Sequence, residues 1–322
     1  MKPSAILIGL AAGFSAALLF AGLILQSTTA LVLSLATPIP IYIASLGWGS
    51  RIGFLAAITA ACAIAAVTGS FGSGMILFGS MALPAAILGH LAGLARPSDE
   101  APPRGPYPAP ANDRPGLDWY PLDRILFVLV LTAIVACLFI GWLFGYNPAA
   151  LAPQLVAALS AQMNAGNDPA AQQQIQILAQ LVIRLMPFVQ PALLVVVLVA
   201  GLHLSAAVTR LSGRLPRPRD DIPATAGLPR VAMTIFAVAL AACFAPDPIA
   251  TIAAVVAGSF GTAFTLVGLA SLHRRTLGNA HRGFVLFSAY VAIVLLSFPL
   301  LLATVLGLFE TARRAAGPRG PQ

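Results

Sequence analysis

The four histidines have the most versatile chemistry in this sequence, because imidazole binds transition metals and transfers protons near neutral pH. They are His90, His203, His273 and His281. No two of them have the spacing that places two metal ligands on one helix face, and His90 and His203 have no acidic neighbour. The sequence therefore predicts no metal site and no bound cofactor, with the histidines at helix ends or in loops.

Arg184 is the next candidate, since it opens a long apolar segment. Its guanidinium group could contact an anionic substrate, and Gln180 and Gln190 could share that task. The alternative is that Arg184 extends to lipid headgroups while its aliphatic part stays in the apolar layer. Either interpretation places it at the outer edge of a membrane span.

Catalytic signatures are missing from the sequence. No HExxH, GxSxG or GxxxxGK[ST] pattern occurs, and a tight turn explains the glycine-rich segment 69–74. The predicted spans hold no carboxylate in their central part, which argues against a proton-driven antiporter. The net charge is +8, but no basic segment is interleaved with aromatic residues in a recognisable module. We expect a protein that is not an enzyme and binds no nucleic acid.

The candidate residues lie among long apolar segments. Of the 322 residues, 59% are hydrophobic and 9% are charged, whereas a soluble domain has about 25% charged residues. About 20 apolar residues in a helix cross the hydrocarbon core of a bilayer. We predict an all-α, polytopic transmembrane bundle of nine spans, within a range of eight to ten, with the lipid bilayer as its main partner. The predicted spans are 5–25, 28–48, 52–69, 73–95, 124–145, 184–208, 230–245, 249–272 and 283–309.

Small residues recur every four positions in the first span. They are Ala5, Gly9, Gly13, Ala17 and Ala21. Such a stripe lets another helix backbone approach closely. The partner is either a helix of the same bundle or another membrane subunit that docks on the first span.

Pro38 and Pro40 lie in one turn of the second span. Each proline removes a hydrogen-bond donor and crowds a preceding carbonyl group. Within a membrane, such a break is tolerated where protein or a cavity covers the freed backbone groups. We therefore expect an interrupted helix whose break lines a cavity.

The basic residues predict the orientation, because positive charge is retained on the cytoplasmic side. With a cytoplasmic N-terminus and a retained first span, most of them fall inside, at Lys2 and Arg51 and in the loops 96–124, 209–230 and 273–282. Nine spans place the C-terminus outside, where Arg313 and Arg314 fit this rule poorly. The expected location is the bacterial cytoplasmic (inner) membrane.

Four regions follow from these patterns. Residues 1–95 form a bundle of four spans, and residues 96–123 form a flexible, proline-rich cytoplasmic linker. Residues 124–312 form a second region of five spans, with outer amphipathic helices at about 149–183. Residues 313–322 form a disordered tail.

Two segments resemble a known family. ATPIPIYIASLGWGSR, at 36–51, resembles the proline-rich second span of the YybS-like family of bacterial membrane proteins, and residues 267–314 resemble the ending of that family. The matching positions in the ending are Gly268, Leu269, Ala270, His273, Tyr290, Gly307 and Leu308. The family has no established activity, and it is distantly similar to the substrate-binding components of energy-coupling-factor vitamin transporters. There, small-residue ladders in the first span dock the coupling subunit, which the resemblance implies for the stripe of Gly9 and Gly13.

Two functions fit this sequence. The first is a small-molecule transport component that binds a vitamin-like nutrient in a cavity among the first four spans. The second is a non-transporting scaffold or assembly factor that gathers partners through the basic loop 209–230 and the outer helices. An internal pocket with polar groups among apolar walls would favour the first function.

Overall fold

The fold is all-α, as the sequence predicts. A computed structural model of the protein describes residues 3–22, 28–97, 117–163, 168–296 and 298–316. Helices make up most of this part of the chain. A short antiparallel sheet pairs Ala95–Pro97 (β1) with Leu117–Trp119 (β2).

The described residues form fourteen α-helices, of which six precede this sheet in the chain and eight follow it. Before it come α1 (Pro3–Ala21), α2 (Thr28–Ser34), α3 (Pro38–Trp48), α4 (Ser50–Thr68), α5 (Phe71–Leu77) and α6 (Leu83–Ala92), with a π-helical segment, Phe78–Ala82, between α5 and α6. After it come α7 (Leu122–Leu143), α8 (Pro148–Gln162), α9 (Pro169–Leu211), α10 (Ile222–Thr225), α11 (Arg230–Ala242), α12 (Ile249–Arg275), α13 (Arg282–Leu296) and α14 (Pro299–Ala316).

Seven helical segments of the described chain are long and apolar enough to cross a membrane. They are Pro3–Ala21, Ala30–Trp48, Ser50–Thr68, Phe71–Ala92, Leu122–Leu143, Pro169–Leu211 and Ile249–Arg275. Each overlaps one of the nine predicted spans, and the chain is a multi-pass membrane protein. The two remaining predicted spans, 230–245 and 283–309, correspond to shorter helices.

The predicted span 283–309 is two helices rather than one. α13 ends at Leu296 and α14 begins at Pro299, because proline fits the first position of a helix but interrupts one that runs through it. α14 then runs parallel to α12, with Gly307 beside Gly268 and Glu310 beside Arg274.

This parallel packing changes the position of the C-terminal arginines. Arg313 and Arg314 lie at the same end of the bundle as Arg274, whereas one continuous ninth span would place them at the opposite end. The predicted tail also begins too early, because residues 313–316 are part of α14. Residues 317–322 lie outside the described residues.

The segment predicted as two short outer helices has a different second half. α8 has 15 residues, as expected for a short helix, but α9 continues from Pro169 through the sixth predicted span for 43 residues. At a rise of about 1.5 Å per residue α9 is about 65 Å long, roughly twice the thickness of the hydrocarbon core. Its first turns therefore extend beyond the apolar layer, and α8 packs against α9.

The small-residue stripe of α1 packs against α4. Gly9 and Gly13 are buried, and a Cβ atom added to Gly13 would lie 2.6 Å from both the carbonyl oxygen of Ala56 and the Cβ of Thr59. The opposite face of α1 exposes large apolar side chains such as Phe14 and Leu18. α4 therefore covers the face that was the candidate docking site for an outside subunit. The stripe packs against a helix of the same bundle, which is the other alternative.

A substitution in this stripe tests the packing. Gly13→Leu is expected to lower the free energy of unfolding by about 1–3 kcal/mol, because the added side chain overpacks a backbone contact. Ala11→Leu is the matched control, since Ala11 is exposed one half-turn away. Melting temperatures of the purified variants in detergent measure the effect, and equal values for the two variants would contradict this packing.

Pro38 and Pro40 lie in the first turn of α3 and not in the middle of a helix. The interruption falls on residues 35–37, between α2 and α3. Proline is well accommodated in a first turn, because the N–H group that it lacks would have no hydrogen-bond partner within the helix there. Pro38 is buried, and the hydroxyl of Ser205 in α9 donates to the carbonyl oxygen of Ile39, 3.2 Å away. Protein thus covers this break.

α12 and α14 form the most extensive helix pair of the described chain. A Cβ atom added to Gly268 would overlap the carbonyl oxygen of Ala303, and one added to Gly307 would overlap that of Phe264. Beside this crossing, the hydroxyls of Thr265 and Thr304 form a hydrogen bond of 2.7 Å. Close backbone approach through small residues is how membrane helices associate without a hydrophobic driving force.

The two predicted bundles share their packing. One buried cluster joins α1 and α3–α6 with side chains of α7 and α9, such as Leu129 and Leu198. A second cluster joins α7 with α11 and α12 through Phe236, Phe260 and Phe264. α7 takes part in both clusters, so the boundary at 96–123 does not separate two independent cores. Of that linker, residues 98–116 lie outside the described residues.

Candidate functional site

Every described arginine except Arg184 lies at one end of the bundle, called the arginine end here. Contacts between distant segments define it. The Arg214 guanidinium lies 4.6 Å above the Trp48 ring at the end of α3, and Arg314 donates to the carbonyl oxygens of Ala224 and Thr225 in α10. Positive charge concentrated at one end of a membrane bundle is the pattern of a cytoplasmic face.

Arg217 fixes the connection between α9 and α11 onto this end. Its side chain is 6% exposed and forms two hydrogen bonds of 2.8 and 3.0 Å with the Asp220 carboxylate. It also donates to the carbonyl oxygens of Ala92 and Tyr120, at the end of α6 and just before α7. The basic loop predicted at 209–230 is thus folded back onto the bundle.

A cleft of about 1000 Å³ lies beneath this connection, between α7, α9 and α12. Most of its lining is apolar. These side chains are Leu46, Ala92, Leu122, Ile125, Leu126, Leu129, Val199, Leu202, Ala206, Leu215, Ile222, Pro223, Ala226, Leu266, Val267, Leu269 and Ala270. The volume is at the upper end of the range for small-molecule sites, and such sites combine apolar walls with a few polar groups.

The polar side chains of the cleft come from α9, α12, α13 and the connection 212–229. They are His203, Arg210, Arg217, Arg219, Asp220, Asp221, His273 and Tyr290. The rings of His273 and Tyr290 lie with their centroids 5.9 Å apart, which brings α13 to the wall of the cleft. The cleft therefore has long apolar walls and a polar end at the arginine end.

Beside the cleft, Glu310 is surrounded by arginines. Its side chain is 1% exposed and lies 2.6 Å from Arg274, 3.0 Å from Arg314, 3.1 Å from Arg313 and 3.9 Å from Arg275. Burial raises the pKa of the Glu310 carboxyl, but the guanidinium groups of Arg274, Arg313 and Arg314 lower this pKa by a larger amount. The resulting pKa is about 2. One carboxylate against four guanidinium groups leaves a positive charge next to α10.

The predicted candidates lie elsewhere. Arg184 is exposed on α9, several turns from the arginine end, and lies outside the cleft. Pro38 and Pro40 also lie outside its lining, to which the first four predicted spans contribute Leu46 and Ala92. The Nδ1 atom of His90 forms a hydrogen bond of 2.7 Å with the hydroxyl of Ser50.

The spacing of the histidines in the sequence does not predict that His203 and His273 line one cleft. The available signal was that histidines and arginines share the ends of α9 and α12. The described part of the chain has no cluster of three or more His, Cys, Asp or Glu side chains that could hold a metal.

The fold and this site define a multi-pass α-helical membrane protein with an apolar cleft that ends in charged groups. Comparison of the chain with protein-family models, with curated proteins and with solved structures finds no match.

Proposed function

We propose that the protein is a small-molecule transport component of the bacterial cytoplasmic membrane and binds its solute in the cleft between α7, α9 and α12. The observation that carries this proposal is the cleft itself, with its volume of about 1000 Å³ and its polar groups among apolar walls. A cleft where α7, α9 and α12 meet suits transport, since small shifts between these helices would change its access.

The proposed orientation places the arginine end in the cytoplasm, as the positive charge of that end favours. The role is one of binding and not of catalysis. The resemblance to the YybS-like family supports the same proposal through that family's distant similarity to vitamin-binding components. A coupling subunit would contact a surface other than the stripe of Gly9 and Gly13, since α4 covers that stripe.

Ligand binding in the cleft is tested with a bulky side chain at Ala206, which lines it. Vitamins, nucleobases and apolar organic acids are screened for compounds that raise the melting temperature of the purified protein. Ala206→Trp is expected to remove at least nine-tenths of that rise, because the indole ring fills the cleft. Uptake of the same compound into proteoliposomes then measures transport.

Leu204→Trp is the matched control, since Leu204 lies on the same helix but faces away from the cleft and is exposed. This variant should keep the full response. If no compound stabilises the wild-type protein, or if Ala206→Trp responds as strongly as Leu204→Trp, the proposal fails.

A scaffold is the alternative proposal, and the hairpin of α8 and α9 favours it. Ile175 and Ala179 are buried in the first half of α9, whereas Ile177 and Leu181 stay exposed there. These exposed side chains lie on the part of α9 that extends beyond the apolar layer. Changing Ile177 and Leu181 to serine would abolish a scaffold's assembly of its partners while leaving ligand binding unchanged.

A further inference from the structure

We propose that the cleft binds an acidic amphiphile, a molecule with one anionic headgroup and an apolar tail. This inference rests on the proposed function and names the chemical class of the solute. The headgroup would lie at Arg210 and Arg219, and the tail would lie between α7, α9 and α12.

The shape of the lining separates the two parts of such a ligand. α7 contributes apolar side chains alone, from Leu122 to Leu129, and α12 contributes apolar side chains until His273 in its last turn. The charged groups come from the last turn of α9 and from the connection 212–229. A ligand that is polar throughout would lose its hydration along these walls without gaining hydrogen bonds, whereas an apolar tail gains by burial there.

The charges of the lining favour an anion. The lining contains three arginines and two aspartates. One arginine, Arg217, forms an ion pair with Asp220. The Asp221 carboxylate accepts a hydrogen bond of 3.3 Å from the backbone N–H of Ala224. This leaves Arg210 and Arg219 without an ion pair among the described residues.

Arg210 is the more specific of these two groups. One of its terminal nitrogens donates to the carbonyl oxygen of Pro218 at 3.4 Å, but its Nε is buried and has no hydrogen-bond partner within the part of the chain described. A buried guanidinium N–H without a partner is costly, and a carboxylate or phosphate oxygen is the acceptor that fits it best. The surplus charge around Glu310, joined to α10 through Arg314, adds to the attraction.

The test uses three molecules with the same twelve-carbon tail: dodecyl phosphate, dodecanol and dodecyltrimethylammonium. Their affinities are measured by displacement of a fluorescent fatty acid from the full-length protein in an uncharged detergent. Dodecyl phosphate is expected to bind at least tenfold more tightly than the other two. Arg210→Gln should reduce this preference at least fivefold. The preference is the ratio of two affinities measured in one sample, so it does not depend on the fraction of protein that is folded.

Arg51→Gln is the matched control. Arg51 is exposed at the same arginine end but lies outside the cleft, so its removal should change the preference less than twofold. The inference is overturned if dodecanol binds as tightly as dodecyl phosphate, or if Arg51→Gln has the same effect as Arg210→Gln. If all three molecules bind equally and Ala206→Trp blocks their binding, the proposed function stands, but the preference for an acidic headgroup is ruled out. If dodecyl phosphate binds equally to wild type and Ala206→Trp, both proposals fail.

The acidic amphiphile could be a membrane lipid or a free molecule. Nanodiscs of phosphatidylglycerol or phosphatidylcholine distinguish these sources. A lipid headgroup in the cleft would weaken dodecyl phosphate binding in phosphatidylglycerol at least fivefold more for wild type than for Arg210→Gln. An equal affinity of wild type in the two lipids would support a free acidic amphiphile.

Discussion

Gly307→Leu is expected to separate α14 from α12 and to destabilise the protein by at least about 3 kcal/mol, at the upper end of the cost of overpacking. The reason is the crossing of the two helices. A Cβ atom at Gly307 already overlaps the carbonyl oxygen of Phe264, so a leucine side chain must push the two backbones apart. A disulfide between Cys substituted at Thr265 and Thr304 measures the separation, because these hydroxyls are 2.7 Å apart.

This experiment requires a background without Cys62, Cys137 and Cys243. The disulfide should form in the wild-type helix pair and fall at least fivefold in Gly307→Leu. Gly283→Leu in α13 is the control, since no atom lies within 4 Å of a Cβ added there. Efficient cross-linking in Gly307→Leu would show that α14 does not pack on α12 in this way.

Glu310→Ala is expected to lower the free energy of unfolding by about 3 kcal/mol, the lower end of the cost of breaking a buried ion pair, because the carboxylate is buried but its arginine partners are partly exposed. Its removal leaves Arg274, Arg313 and Arg314 facing one another without a carboxylate. Asp118→Asn is the matched control, because Asp118 belongs to an exposed pair with Arg96 at 3.6 Å, and exposed pairs contribute at most about 1 kcal/mol. Thermal melting of both variants measures the difference.

The pH dependence follows from the depressed pKa of Glu310. With a folded-state pKa of about 2 against an ordinary 4.5, the carboxylate stabilises the folded protein fully above about pH 4.5. This stabilisation is lost as the pH falls toward 2. The difference in melting temperature between wild type and Glu310→Gln should therefore be constant from pH 8 to 5 and decrease below pH 4.5. A difference that already decreases between pH 7 and 5 would contradict this pKa.

The sequence is sufficient to predict the membrane spans, because each of the seven is a long run of apolar residues and needs no tertiary contact to be recognised. It fails where a local signal has two structural solutions. Pro299 is compatible with a kinked span or with two helices, and the contact of Gly268 with Gly307, distant in sequence, distinguishes them. The stripe at Gly13 shows the same limit, since small residues predict a close helix but not which helix.

The cleft could not be predicted from the sequence for a related reason. Its lining comes from side chains as far apart as Leu46, Leu129 and His273, and each is ordinary in its own helix. Arg210 and Arg217 lie in one basic segment of the sequence. The Nε of Arg217 donates to the Asp220 carboxylate, whereas the Nε of Arg210 has no hydrogen-bond partner in the described residues. Only the folded connection 212–229 separates a structural arginine from one available to a ligand.

The proposed function requires the cleft to be reached from the arginine end, and the most direct test is labelling of Ala206→Cys in the background without native cysteines. Met163→Cys, exposed at the opposite end of the bundle between α8 and α9, is the reference. A membrane-impermeant thiol reagent should label Ala206→Cys in inside-out vesicles and Met163→Cys in right-side-out vesicles. Labelling of both cysteines from the same side, or no labelling of Ala206→Cys from either side, would contradict the proposed function.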